Sequence, residues 1–120
     1  MAAEVGPSLA ARVDELQSAL DPIAQNSRTS AILSTQESTD ILASGGRDLS
    51  PAQRALAGEG DLLARLPGEH AEITALDAAS KAGLTPSEMA VSRTICPECQ
   101  AAIENSGGSV NANGLGATWP

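Results

Sequence analysis

Aromatic rings are nearly missing from this sequence: it has no phenylalanine and no tyrosine, and Trp119 is its only aromatic residue. The core must therefore be assembled from Ala, Leu, Ile and Val, each of which buries less area than a ring. The same gap removes the usual platforms for stacking unpaired bases. Basic residues are scarce as well. Arg12, Arg28, Arg47, Arg54, Arg65, Lys81 and Arg93 stand against 15 acidic residues, for a net charge of −8. That balance argues against a broad basic face that grips nucleic acid by neutralising phosphates, although seven cations can still gather on one side. No apolar run approaches the roughly 18 residues of a membrane span, and none is expected. The start, Met1-Ala2-Ala3-Glu4, has no basic stretch followed by an apolar one, so no signal peptide is expected. Two cysteines separated by two residues are too few for a disulfide framework and read as a metal or redox pair.

What is present is a globular composition, 42% apolar over 120 residues, which fits a single domain spanning residues 1–120 with one modest core. Leu9, Val13, Leu16 and Leu20 recur at helical spacing, predicting a first helix over Ser8–Gln25 with a weak point at Asp21-Pro22. Two short β-prone runs, Ser30–Thr35 and Asp40–Ser44, flank a polar four-residue stretch and predict an antiparallel hairpin. Ser50-Pro51-Ala52-Gln53 has the signature of a capped helix start, with a short helix to follow because Gly58 and Gly60 interrupt it. Asp61 to Leu66 is expected to add another turn. The alanine-rich stretch from His70 to Ala82, stopped by Gly83, is the clearest helix. One turn at Thr85 and a strand over Met89–Ile95 should follow, then a helix from Cys96 to Asn105 with Pro97 at its first position and Ser106-Gly107-Gly108 ending it. A last strand is expected around Ala117-Thr118-Trp119. The fold class is α/β, a small central mixed sheet flanked by helices.

Metal-ligating residues are few, and that economy is informative. The only histidine lies in Gly68-Glu69-His70-Ala71-Glu72, and the only cysteines lie in Ile95-Cys96-Pro97-Glu98-Cys99. One imidazole and two thiolates are a standard three-ligand zinc set that leaves a fourth position for water, the arrangement of a catalytic rather than a closed structural site. Both segments fall at predicted helix starts. Side chains there lean towards the N-terminus, and the helix dipole favours thiolates. Glu72, two residues after His70, is poorly placed to share the metal and is free to reach the water.

His-x-Glu followed by Cys-Pro-x-Cys resembles the signature of the zinc-dependent cytidine deaminase-like superfamily. The order of predicted elements is similar to that fold as well, from about Pro7 to the end of the chain. Within the superfamily the chain looks closest to the compact deaminase domains of bacterial polymorphic toxins, through Ser44-Gly45-Gly46, the short His-to-Cys stretch and the ending Ala117-Thr118-Trp119-Pro120. One departure is Ile95, which stands before the first cysteine where the family usually has proline. The resemblance implies a three-layer fold and Zn2+ held by His70, Cys96 and Cys99. It further implies Glu72 as the proton carrier, the Ala71 backbone against the base edge, and Ser44, Gly45 and Gly46 along the substrate pocket. It implies cytosine in DNA as substrate, with single- or double-stranded form left open, and delivery as the C-terminal part of a longer secreted toxin that has an immunity protein as partner.

Other readings stay open on the residues alone. A free cytidine, nucleotide or RNA deaminase would use the same site, and a non-catalytic zinc domain would need Asp or Glu as a fourth ligand. A thioredoxin-like redox pair is also formally available to Cys96 and Cys99, but no β-α-β pattern precedes them. Arg47, Arg54 and Arg65 read as solvated side chains or as phosphate contacts, Glu98 as a first-turn helix acid, and Trp119 as packing.

Overall fold

A computed structural model of the chain describes residues 7–120. Within it a mixed, six-stranded sheet is flanked by helices on both faces, which is the expected α/β class. The elements in chain order are α1 (Pro7–Ser18), α2 (Pro22–Ser27), β1 (Ser30–Thr35), β2 (Asp40–Ser44), α3 (Pro51–Arg54), β3 (Leu62–Leu63), α4 (Ala71–Ala82), β4 (Pro86–Val91), α5 (Pro97–Asn105), β5 (Ser109–Val110) and β6 (Gly116–Thr118). The sheet order is β3-β2-β1-β4-β6-β5, with only β2 and β3 parallel.

The alternation of each strand sorts its side chains between two cores. Ile32 lies opposite both Leu42 and Ala90 in register, and these three face Leu9, Val13 and Leu16 of α1 together with Leu49. Their neighbours Ala31, Leu33, Ile41, Ala43, Met89 and Val91 face the other way. There they meet the small residues Ala71, Ala75 and Ala79 of α4 and Cys99 and Ile103 of α5. Alanines on α4 let that helix lie close against the sheet, which compensates for the missing rings. Each buried Leu or Ile contributes about 1.5–3 kcal/mol, so the two aliphatic cores suffice for a chain of this size.

Several elements differ from expectation. The first helix is two helices: Asp21 leaves helical geometry and its carboxylate caps the Ala24 amide, with Pro22 opening α2. The reason is the same Asp-Pro start signal that opens helices elsewhere, which outweighs the leucine periodicity before it. Asp61 to Leu66 forms no helical turn. Leu62 and Leu63 instead pair with Ile41 and Leu42 along the open edge of β2. No turn precedes β4 at Thr85, whose amide and hydroxyl both donate to the Glu37 carboxylate of the hairpin loop. With its start tied there, β4 begins at Pro86 and is finished by Val91, earlier at both ends than its alternation suggested. Residues 92–95 then turn away to deliver Cys96. No helix among the described residues is long and apolar enough to cross a membrane.

Candidate metal centre

His70 and Cys96 occupy equivalent places, each the residue just before a helix, α4 and α5 respectively. Position N-cap normally carries Ser, Thr, Asp or Asn, whose oxygen satisfies a first-turn amide. Neither His70 nor Cys96 makes such a bond, so both side chains are left available for another partner. Local signals fix both helices: Pro97 sets the first helical turn of α5, and the Thr74 amide donates to His70 O at the start of α4, which Gly83, at φ 71°, closes at its far end.

The two helix starts converge. Cys96 Sγ stands 4.0 Å from His70 Nδ1, and one donor atom each from His70, Cys96 and Cys99 lies within 4.8 Å of the others. Bond lengths of about 2.0–2.3 Å in a tetrahedral zinc site put ligand atoms roughly 3.7 Å apart, so these three need close by only about an ångström. The donor set fits zinc: two sulfurs and one imidazole nitrogen, with both cysteines free of disulfide bonds. Cys99 is fully buried. Burial pushes its thiol well above the usual cysteine range, and the Glu72 charge adds to that. A metal must therefore displace a proton to take it. His70 is exposed, and its Nε2 lies 3.9 Å from the Glu98 carboxylate.

Glu72 is the unusual member. It is an acidic side chain only 3% exposed, in the first turn of α4, on the same side as the cysteines. Burial raises its carboxyl above the ordinary value, opposed by a hydrogen bond from its own amide, by His70 and by Cys99. A buried carboxylate without an ion-pair partner is costly, and its position against His70 and Cys99, two of the three residues that could hold a metal, gives it a chemical rationale.

Beside His70 opens a cavity of about 340 Å³, lined by Thr29, Gly45, Gly46, His70, Ala71 and Arg93 among others. Its volume lies at the lower end of small-ligand sites, about 300–1,000 Å³. Its walls are loops tied to one another. The Gly45 amide donates to Thr29 O, the Gly46 amide to Glu69 O, and the Ser30 amide to Ser92 Oγ. A Cβ at Gly45 would lie 3.4 Å from the Ala71 nitrogen and 3.5 Å from Thr29 O, ordinary contact distances that place the loop after β2 directly against the start of α4.

Of the residues singled out from the sequence, His70, Cys96, Cys99 and Glu72 come together, with Ala71, Gly45 and Gly46 on the adjoining cavity. Ser44 does not line it. Its side chain is buried and accepts a hydrogen bond from Arg28 Nη2 at 2.7 Å, because the alternation of β2 turns it away from the cavity. Arg65 pairs with Asp48, and Arg54 donates to Leu49 O. Trp119 packs against the main core and donates from Nε1 to Ser106 Oγ. Sequence reasoning missed Thr29 and Arg93 on the cavity wall. Neither belongs to a motif, and only the pairing of β1 with β4 brings them together. Compared with known proteins, the chain gives no significant match to any family model, curated protein or solved structure.

Proposed function

We propose that the chain is a zinc-dependent hydrolytic deaminase acting on cytosine in DNA. The observation that carries this reading is the meeting of His70, Cys96 and Cys99 with the buried Glu72 at the edge of a ligand-sized cavity. Zinc held by these three residues supplies the Lewis acidity that makes water a nucleophile near neutral pH.

The rest falls to the chain. Ala71 and Gly45 line the cavity that takes the base, with the Ala71 backbone against the base edge. Glu72 accepts the proton of the attacking water and passes it to the ring nitrogen as the new C–O bond forms and the ring carbon becomes tetrahedral. The same carboxylate then carries the proton of the new hydroxyl to the exocyclic amine. The C–N bond breaks with its electron pair on nitrogen, ammonia leaves, and cytosine has become uracil. A carboxyl whose affinity for protons is raised by burial suits a group that must both take and return one.

The choice of cytosine in DNA rests on the motif resemblance to toxin deaminase domains, which also implies a delivered effector with an immunity protein as partner. A second reading is a structural zinc domain, in which a carboxylate such as Glu98, 3.9 Å from His70 Nε2 and outside the His70-Cys96-Cys99 group, would have to move in as the fourth ligand. Turnover by the wild type separates them, and Glu72→Ala tests the role of Glu72. In the deaminase it leaves zinc and fold in place and removes turnover, whereas retained turnover would overturn the role of Glu72. Glu98→Ala keeps its zinc under the proposal and loses it if Glu98 is a ligand.

A further inference from the structure

The seven cations of the chain are distributed unevenly. Arg12 pairs with Asp40 and Asp61, Arg65 with Asp48, and Lys81 with Asp77. Arg28, Arg47, Arg54 and Arg93 form no ion pair among the described residues, and three of these four gather at one place. Arg93 lines the cavity beside His70. Arg28 and Arg47 line a second cavity of about 460 Å³, which shares Ser27, Gly45 and Gly46 with the first. The two cavities adjoin at these residues, giving a trough that starts at His70 and runs past α2.

Arg28 is built into this trough. Its Nη2 donates to Ser44 Oγ at 2.7 Å and to the Asp48 carbonyl at 2.8 Å. Its buried Nε–H has no acceptor. Partial burial and the neighbouring Arg47 charge both lower its pKa, opposed by the Asp21 carboxylate, so two like charges share one nearby carboxylate. The trough also has two carboxylates, Asp21 and Glu69. Asp21 accepts from the Ala24 amide and also acts on the Arg28 charge. Three guanidinium groups against two carboxylates leave the trough positive on a chain whose net charge is −8. Ile23, 82% exposed, stands on its wall as the most exposed of the large apolar side chains. It offers an exposed apolar surface in a chain whose one aromatic ring, Trp119, packs against the core.

We propose that this trough seats the phosphodiester backbone of a DNA strand, with Arg93 nearest the reacting base and Arg28 and Arg47 beyond it, so that the substrate is a polynucleotide and not a free nucleoside. The inference rests on the deaminase reading for its orientation. Its chemistry, anionic phosphates on unpaired guanidinium groups, does not.

Binding of a fluorescein-labelled single-stranded DNA 12-mer with one central cytosine, read by anisotropy on the zinc-loaded Glu72→Ala protein, tests it without consuming the probe. Counterion release by three arginines gives a slope of log K against log salt of roughly −2 for a single strand, a loss of about 16-fold between 50 and 200 mM. Arg47→Ala or Arg93→Ala should weaken binding several-fold and flatten the slope by about 0.7 each. Arg54→Ala, a cation off the trough, serves as control and should leave both unchanged. Equal losses in all three variants, or none, would overturn the trough as the phosphate site. An RNA 12-mer bound more tightly than DNA would overturn the choice of DNA. Deamination by the wild-type protein, measured alongside, keeps the two ideas apart. Arginine-dependent binding without turnover of any substrate refutes the deaminase and leaves the trough. Turnover that does not respond to Arg47→Ala or Arg93→Ala refutes the trough alone.

Discussion

Gln53 offers the sharpest test of how the cavity wall is held. Its side chain is fully buried on α3, where a glutamine must be satisfied to be tolerated. Nε2 donates to Leu16 O and to Ser30 Oγ, both at 3.1 Å, and Oε1 accepts from the Ser50 amide at 3.0 Å. The network continues outward. Ser30 Oγ donates to Gln17 Oε1 at 2.8 Å, and Gln17 Nε2 donates to the carbonyls of Gln25 and Arg28 at 2.9 Å each. It therefore fixes the segment between α2 and β1 that supplies Ser27 and Thr29 to the cavity. Gln53→Met keeps the volume and removes all three bonds. At about 0.5–1.5 kcal/mol per bond the loss is about 3 kcal/mol, with the Leu16 carbonyl left dry. Unfolding entropy near 2.1 cal/mol/K per residue converts this to a fall in Tm of about 12 °C for a chain of this length. Thermal melts and urea titrations at fixed zinc measure it, and Cm should shift with m unchanged. The exposed Gln36→Met is the control and should stay within about 0.5 kcal/mol. A Gln53→Met protein within about 3 °C of wild type would refute the reasoning.

Gly108→Ala should cost about 1–3 kcal/mol by overpacking, because the added Cβ would lie 2.6 Å from Trp119 Cε2 and 2.9 Å from Ile103 Cγ2. A lower melting temperature with a shifted Trp119 emission would show it, and an unchanged melt would contradict it. Cys99→Ser should purify essentially without zinc, whereas wild type carries one zinc per chain by elemental analysis. Since burial keeps the Cys99 thiol protonated, zinc affinity should rise with pH by about tenfold per unit for each proton displaced. Competition with a chromogenic chelator measures this, and a flat profile would count against the site. Hydrogen bonds from the Thr85 amide and hydroxyl lower the Glu37 pKa, so its contribution to stability is present above the unfolded value of about 4.3 and is lost as pH falls through the folded value. The difference in Tm between wild type and Glu37→Gln should shrink from about pH 6 to about pH 3; a constant difference would show that the ion is not responsible.

The hairpin was legible because Ser30–Thr35 and Asp40–Ser44 have strong strand character on both sides of a polar loop, and both strands run over those residues. Helix α4 was legible from its alanines and Gly83, and α5 from Pro97, because start and stop signals there agree with the apolar pattern. At Asp21-Pro22 the two signals disagreed, and the cap prevailed over the periodicity. Strands β3 and β5, two residues each, exist only because an edge is available to pair with, which no local pattern encodes. The metal-ligating residues stood out because the chain has so few of them. The arginine trough did not, because Arg28, Arg47 and Arg93 are far apart in sequence and Arg65, which reads like Arg47, turns out to be paired with Asp48.

The most direct test of the central claim is uracil formation by the zinc-loaded protein on matched single-stranded DNA, double-stranded DNA, RNA and free cytidine, with Glu72→Ala alongside. The account predicts uracil in at least one form of DNA, abolished in the variant that still holds its zinc. Turnover of free cytidine alone, or no turnover of any substrate with zinc bound, would contradict it.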